Sequence, residues 1–527
     1  MVRTGLSGMR PQRLLVLLLI ASSTAAAFQA PEAVAQQITR PDMTKGNGAN
    51  PANDLPDIGT PADQVFTAGE EYGIGSGIVR QLRDEGQILD DPELNDYLQS
   101  LGSRLAAQAH DGTLRFHFFI VKDGELNAFA LPGGFIGVNA GLVLATASES
   151  ELAGVLAHEI SHVTQRHLAR SLAAQAKNAT LSTIGMLAAI LVGVAAGGGG
   201  DAVQGAVAVS QGVALQKRLN YSRANEAEAD RVGMGVLASA GFDPNGMGGF
   251  FETLSRRTTL GASRVPEFLL THPVTSNRIA EARERAEQYP PARPVDTVGY
   301  TLARERLRVA LRPEGHDARE LYPDSSGEDL ELNAARRYGR ALAYTAAGDP
   351  GPAIASLREL RDAHPDIIPY HTALAEAQLQ AGDNAGARHA LDDAMVLFPR
   401  NISVTVLYGE TLLRTGEAAE AHRVLLDLFN NVPANPTQIR LLGQAASAQG
   451  DAPEANYYAA EYLLSLGDLP RAINQLSRAL ATPSVTPVQE ARFTARRTEL
   501  KEFLPPKLQG YVDRGQPVPE SEPGEER

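Results

Sequence analysis

Residues 158–162 read His-Glu-Ile-Ser-His, a spacing suited to hydrolysis assisted by a metal ion. Side chains at i and i+4 share one helical face, so the imidazoles of His158 and His162 can reach a single ion. Glu159 is turned about 100° from His158, which sets its carboxylate beside a water on the ion rather than on the ion itself. Zinc lowers the pKa of such a water toward roughly 7 and polarises a carbonyl, while a neighbouring carboxylate takes the proton. With 11 histidines and 62 acidic residues in 527, the pattern arises by chance roughly 0.03 times per chain. A solvated helix with two incidental histidines is the plain alternative. The apolar run from Leu152 to Ala157 opposes it, because it buries the helix and leaves Glu159 in need of a partner.

A catalytic zinc takes three protein ligands and keeps one position open. The metzincin arrangement needs a glycine three residues past His162 and a histidine six past it. Gln165 and Leu168 stand there instead, so that class is excluded. His167 lies about 140° round from His162 on a continuous helix and is expected at the surface. An acidic helix downstream is the natural source of a third ligand. Residues 225–231 read Asn-Glu-Ala-Glu-Ala-Asp-Arg, with Glu226 and Asp230 on one face and Glu228 pointing away.

HEISHVTQRH at 158–167, NEAEADRVG at 225–233 and THPVTSNRI at 271–279 together resemble the gluzincin family of the CAAX prenyl endopeptidase and the heat-shock protease HtpX. The resemblance implies Glu226 as the third ligand of one Zn2+ per chain, and Asp230 as the carboxylate that orients a ligating imidazole. His272 matches a family histidine that either stabilises the oxyanion or caps the open zinc position. Arg278 matches an arginine serving the oxyanion or a nearby carboxylate. The segment from Asn127 to Gly134 matches the one preceding the zinc helix. Its residues Asn127, Ala128, Phe129 and Ala130 form a candidate edge strand for pairing with an extended substrate, a structural hairpin being the alternative.

These residues need a mixed scaffold. An amphipathic helix is expected over 87–108, strands over 114–121 and 135–138, and one long helix over 148–174 opened by a Ser148/Glu151 capping box. Residues 181–196 are almost wholly apolar but short for a membrane span, and read as a buried helix or as a surface for lipid or an unfolded client.

Beyond a Pro-rich linker, Gly348, Gly382, Gly416 and Gly450 recur every 34 residues, as do Pro365, Pro399 and Pro433. Ala353, Ala387, Ala421 and Ala455 each follow a glycine by five, and Gly467, Asp468 and Ala472 begin a further unit half a period later. A tight turn, a small packing residue and a helix stop at this period match tetratricopeptide repeats.

At the other end, Arg3, Arg10 and Arg13 precede the apolar Leu14–Ala21 and small residues, as in an export signal. The absence of cysteine excludes disulfides and thiolate ligands, and a net charge of −14 argues against nucleic acid. The expected organisation is a signal peptide (1–35), a flexible mature N-terminus (36–64) and an α+β, mainly α, zinc metalloprotease domain (65–288). A linker (289–330), an all-α repeat solenoid (331–504) and a disordered tail (505–527) follow.

With the signal and the repeats, the chain resembles the periplasmic β-barrel assembly-enhancing proteases of that family. This implies cleavage or chaperoning of misassembled outer-membrane β-barrel proteins, with the repeats docking clients or the assembly machinery. Peripheral membrane contact through 181–196 is a further expectation. A rival of another class is a repeat chaperone or scaffold with latent proteolysis.

Overall fold

The computed structural model describes residues 67–519, apart from 110–113, 177–222, 260–265, 293–294, 324–333, 434 and 505. The described residues belong to one compact unit, Gly59–Arg527; a second unit, Met1–Ile58, falls outside them, as do the expected signal peptide, the expected flexible N-terminus and the apolar run 181–196. No helix among the described residues is long and apolar enough to cross a membrane.

The chain begins with α1 (Ala68–Asp84) and α2 (Pro92–Ala109), then β1 (His117–Val121), β2 (Ala128–Leu131) and β3 (Phe135–Asn139). The sheet order is β1-β3-β2, with β1 parallel and β2 antiparallel to β3. Gly133, at φ 76, makes the turn between β2 and β3 and lies against the Tyr72 backbone of α1, where a Cβ would not fit. β2 is therefore an edge strand, its second side facing the helices that follow.

Those helices are α3 (Ala140–Ala145), α4 (Glu149–Thr164), α5 (His167–Ala176), α6 (Arg223–Ser239), α7 (Asn245–Thr259), α8 (Glu267–Thr271) and α9 (Ser276–Ala286). α4 is buried from Glu149 to His162, on every face. Ser148 caps it by accepting from Glu151 N. The reciprocal half of the expected box goes one residue further back, since the Glu151 carboxylate accepts from Ala147 N at 2.8 Å. α6 lies across α4, and Gly233 allows the approach: a Cβ there would sit 3.0 Å from the Ala157 carbonyl oxygen, beside His158.

Two expectations fail at the segment ends. The linker contains a helix, α10 (Val298–Ala310), because Tyr300 is fully buried and donates to the Thr146 carbonyl while Thr297 N and Oγ1 both reach the Glu149 carboxylate. The tail contains α21 (Pro506–Asp513), held because Leu508 and Val518 bury themselves against the last repeat helices. Between these lie α11 (Ala334–Ala346), α12 (Pro350–Ala363), α13 (Ile368–Gln380), α14 (Asn384–Leu397), α15 (Ile402–Arg414), α16 (Ala418–Asn431), α17 (Pro436–Ala448), α18 (Ala452–Ser465), α19 (Leu469–Leu480) and α20 (Pro487–Lys501).

They stack as helical hairpins, an all-α solenoid following the mixed protease domain. Gly348, Gly382, Gly416, Gly450 and Gly467 all take φ between 78 and 84, the left-handed conformation a two-helix turn requires. Ala353, Ala387, Ala421 and Ala472 are fully buried where the hairpins touch.

Candidate metal centre

α4 carries His158 and His162 inward, α6 brings Glu226 across, and the residue that ends α8, His272, closes the group. One ligand atom from each lies within 4.8 Å of all the others. His158 Nε2 is 3.0 Å from His162 Nε2 and 3.3 Å from His272 Nδ1. Glu226 Oε1 lies 3.0 Å from His272 Nδ1 and 3.4 Å from His162 Nε2, and its Oε2 lies 3.6 Å from His158 Nε2. A tetrahedral ion with ligands near 2.0–2.1 Å keeps its donor atoms about 3.3–3.4 Å apart, so this donor set has the size and the N/O character that zinc takes. Three imidazole nitrogens facing one another repel unless a cation or protons lie between them, which points the same way.

The charges agree. Burial alone would lower the His158 pKa, but hydrogen bonds and attraction from Asp230 and Glu226 outweigh it and push the imidazole up to about 10. Burial and the two neighbouring imidazoles hold His162 well below its ordinary value, despite the Glu226 carboxylate. Burial opposes ionisation of Glu226 too, yet His272 and the hydrogen bonds from all three histidines hold it far below the carboxylate range. The carboxylates thus favour a cation beside them, while His162 is held in its neutral, lone-pair form.

The surrounding contacts fix each donor. Asp230 Oδ1 lies 2.9 Å from His158 Nδ1. Arg278 donates Nε and Nη2 to Asp230, both at 2.8 Å, and Nη1 reaches Glu226 Oε2 at 2.8 Å and the Pro273 carbonyl. Of the two roles expected for Arg278, the geometry offers the carboxylate partner, with three of its five N–H groups on Asp230 and Glu226 and a fourth on the Pro273 carbonyl.

Glu159 stands beside the donor set. Burial raises its pKa, partly opposed by His272 and His158, and it accepts a hydrogen bond from the backbone of Ala130. Its Oε1 is buried with no hydrogen-bond partner among the described residues, 3.6 Å from His272 Nε2. A buried carboxylate oxygen left open beside a converging donor set is what a proton acceptor for water requires. The Ala130 contact also shows that the outer edge of β2 faces the site. Ala128, Phe129 and Ala130 lie on that strand, and Asn127 just precedes it, its carbonyl accepting from Asn139 N.

The model for peptidase family M48 matches residues 92–286. A β-barrel assembly-enhancing protease of Yersinia pestis is 38% identical over 356 residues, covering 66% of this chain and 71% of that protein. The chain belongs to peptidase family M48. A Vibrio cholerae relative is 42% identical over 295 residues, covering 55% of this chain and 60% of its own. The β-barrel assembly-enhancing protease of Escherichia coli K12 is 38% identical over 320 residues, covering 60% of this chain and 64% of its own. Less than two thirds of either of these two relatives is thus matched.

Around this M48 centre the structure corrects one expectation. His167 is fully buried rather than at the surface. α4 ends at Thr164, and Arg166 takes φ 50, so the chain turns before α5 and His167 swings back until its Nδ1 is 3.0 Å from His162 Nδ1. Glu228, expected to point away, meets His167 Nε2 at 3.1 Å. An angle of 140° holds only on a continuous helix, and no glycine or proline between Val163 and Leu168 signals the break. The signal that could reveal it is composition: Arg166, His167 and Arg170 follow a helix that is buried only through His162.

Proposed function

We propose that this chain is a periplasmic zinc metalloendopeptidase that hydrolyses peptide bonds of misfolded or misassembled envelope proteins, with a chaperone-like part in outer-membrane β-barrel assembly. The observation that carries the reading is the convergence of His158, His162, Glu226 and His272, one ligand atom from each within 4.8 Å of the others, with the open Oε1 of Glu159 beside it. His158, His162 and Glu226 would hold the ion, one per chain. When bound, zinc supplies acidity to a water molecule and Lewis-acid polarisation to a peptide carbonyl.

The chain's own residues do the rest. Glu159 takes the proton of the attacking water and later delivers it to the departing amine. Asp230 fixes the tautomer of His158, and Arg278 neutralises the two carboxylates that would otherwise repel. The edge of β2, Asn127 to Ala130, aligns an extended substrate by main-chain hydrogen bonds, a mode tolerant of many sequences. His272 would supply a fourth donor beside these three, which would hold the resting enzyme latent until a client displaces this imidazole. The repeats supply the docking surface for clients and for the β-barrel assembly machinery, and 181–196 supplies peripheral membrane contact.

The position of His272 also favours a second reading, in which the chain works chiefly as a repeat chaperone and cleaves rarely. One experiment separates the two. Purified zinc-loaded protein is incubated with an unfolded protein, beside its Glu159→Gln and His272→Ala variants. The enzyme reading expects cleavage by the wild type, faster cleavage by His272→Ala and none by Glu159→Gln. No cleavage by either the wild type or His272→Ala leaves only the chaperone reading.

A further inference from the structure

The chemistry proposed above leaves out two buried or half-buried groups on the far side of His162, and their arrangement is not that of ordinary packing. If Nε2 of His162 offers its lone pair to the ion, its proton must sit on Nδ1. That atom faces His167 Nδ1 at 3.0 Å. An N–H on one side requires a lone pair on the other, so the proton of His167 belongs on Nε2. Nε2 in turn meets Glu228 Oε2 at 3.1 Å, and Arg170 Nη1 donates to the same oxygen at 3.0 Å. The rings of His162 and His167 stand nearly perpendicular, at 80° with centroids 4.8 Å apart, and their Nδ1 atoms make the contact between them.

We propose that His167 and Glu228 form a relay that orients His162, the chain running His162 Nδ1–H to His167 Nδ1 and His167 Nε2–H to the Glu228 carboxylate. The inference rests on the metal-centre reading. It assigns both residues a positioning role, since neither touches the ion or the substrate.

The geometry explains why His162 needs a relay when His158 does not. Asp230 follows Glu226 by four residues on α6 and so faces α4 on the same side, reaching His158 directly at 2.9 Å. Glu228 follows Glu226 by two, about 200° round the helix, and cannot reach a ligand histidine itself. His167 fills the gap. The turn at Arg166 carries the ring there, and Arg166 is anchored in turn by Glu71 of α1 at 2.9 Å. The relay therefore runs from a fully buried imidazole to a carboxylate on the surface, its side chain 27% exposed and steadied by Arg170. Orienting partners of this kind typically change metal affinity 10–100-fold when removed.

The test uses the full-length protein stripped of metal and titrated with Zn2+ against a competing chelator. His167→Phe is expected to bind Zn2+ 10–100-fold more weakly than the wild type. His167→Asn, whose Oδ1 stands where Nδ1 stood, is expected to recover most of that loss, which a merely structural role would not produce. Glu228→Leu is expected to show a smaller loss.

Independently, nitrogen-labelled histidine in the Zn2+-loaded wild type is expected to show a nitrogen–nitrogen coupling between the Nδ1 atoms of His162 and His167. That measurement decides the matter alone if His167→Phe does not fold. Unchanged affinity in a folded His167→Phe, or a His162 Nδ1 without its proton, overturns the relay and leaves the metal centre standing. A wild type that takes up no stoichiometric Zn2+ overturns both.

Discussion

Replacing Glu93 with glutamine should stabilise the protein at pH 8 and leave it nearly unchanged at pH 4.5. Glu93 sits on α2 where the protease domain meets the first repeats, among Arg306, Asp91, Glu376, Tyr338 and Thr372. Arg306 bonds Asp91 at 2.6 Å and Glu376 at 2.7 Å, and only its more distant Nη1, at 3.6 Å, faces Glu93. One guanidinium therefore serves three carboxylates. Burial, with Glu376 and Asp91 nearby, pushes Glu93 from 4.5 up to about 8 even against the attraction of Arg306.

The folded state thus holds this proton more tightly than the unfolded chain does. Below pH 4.5 both states are protonated and nothing is lost. Between 4.5 and 8 the unfolded chain releases its proton first, and the wild type loses stability as pH rises, on the order of 5 kcal/mol at most. Relaxation around the buried carboxyl keeps the observed loss below that bound. The assay is urea unfolding followed by circular dichroism, for wild type and Glu93→Gln, at intervals from pH 4.5 to 8.5. The difference between them cancels the titrating groups that lie away from this cluster. A difference that stays constant with pH, or that favours the wild type as pH rises, refutes the reasoning.

Arg278→Met leaves Glu226 and Asp230 buried without their shared cation and should cost about 3–5 kcal/mol in urea unfolding of the metal-free protein, with part regained on adding Zn2+. A loss below about 1 kcal/mol would contradict the paired geometry. His272→Ala should raise the rate of peptide hydrolysis on the order of tenfold, because the competent fraction rises when the fourth corner is vacated; an unchanged or lower kcat would argue for the oxyanion role instead. Glu159→Gln should lower kcat by about 100-fold or more with Zn2+ content unchanged by metal analysis. Loss of the metal in that variant would place Glu159 among the ligands.

The parts of the molecule legible in the sequence are those where chemistry imposes a period. His158 and His162, and Glu226 and Asp230, are readable because i, i+4 spacing on a helix leaves little choice of face. The repeats are readable because each hairpin turn demands a left-handed glycine, and Gly348 to Gly450 supply one every 34 residues. What escaped depends on where one element stops and on what it packs against. The break at Arg166 carries no glycine or proline, so His167 was expected on the wrong side of a helix that ends before it. α10 hid between prolines and charges, since its burial is decided by Tyr300 and Thr297 meeting Thr146 and Glu149 about 150 residues away. α21 hid for the same reason, its apolar residues being few and its partners distant in the chain.

The most direct test of the central claim is anomalous scattering at the zinc absorption edge from crystals of the purified protein. One peak per chain is expected, within bonding distance of His158 Nε2, His162 Nε2 and the Glu226 carboxylate. A peak elsewhere, or none in protein supplied with Zn2+, would contradict it.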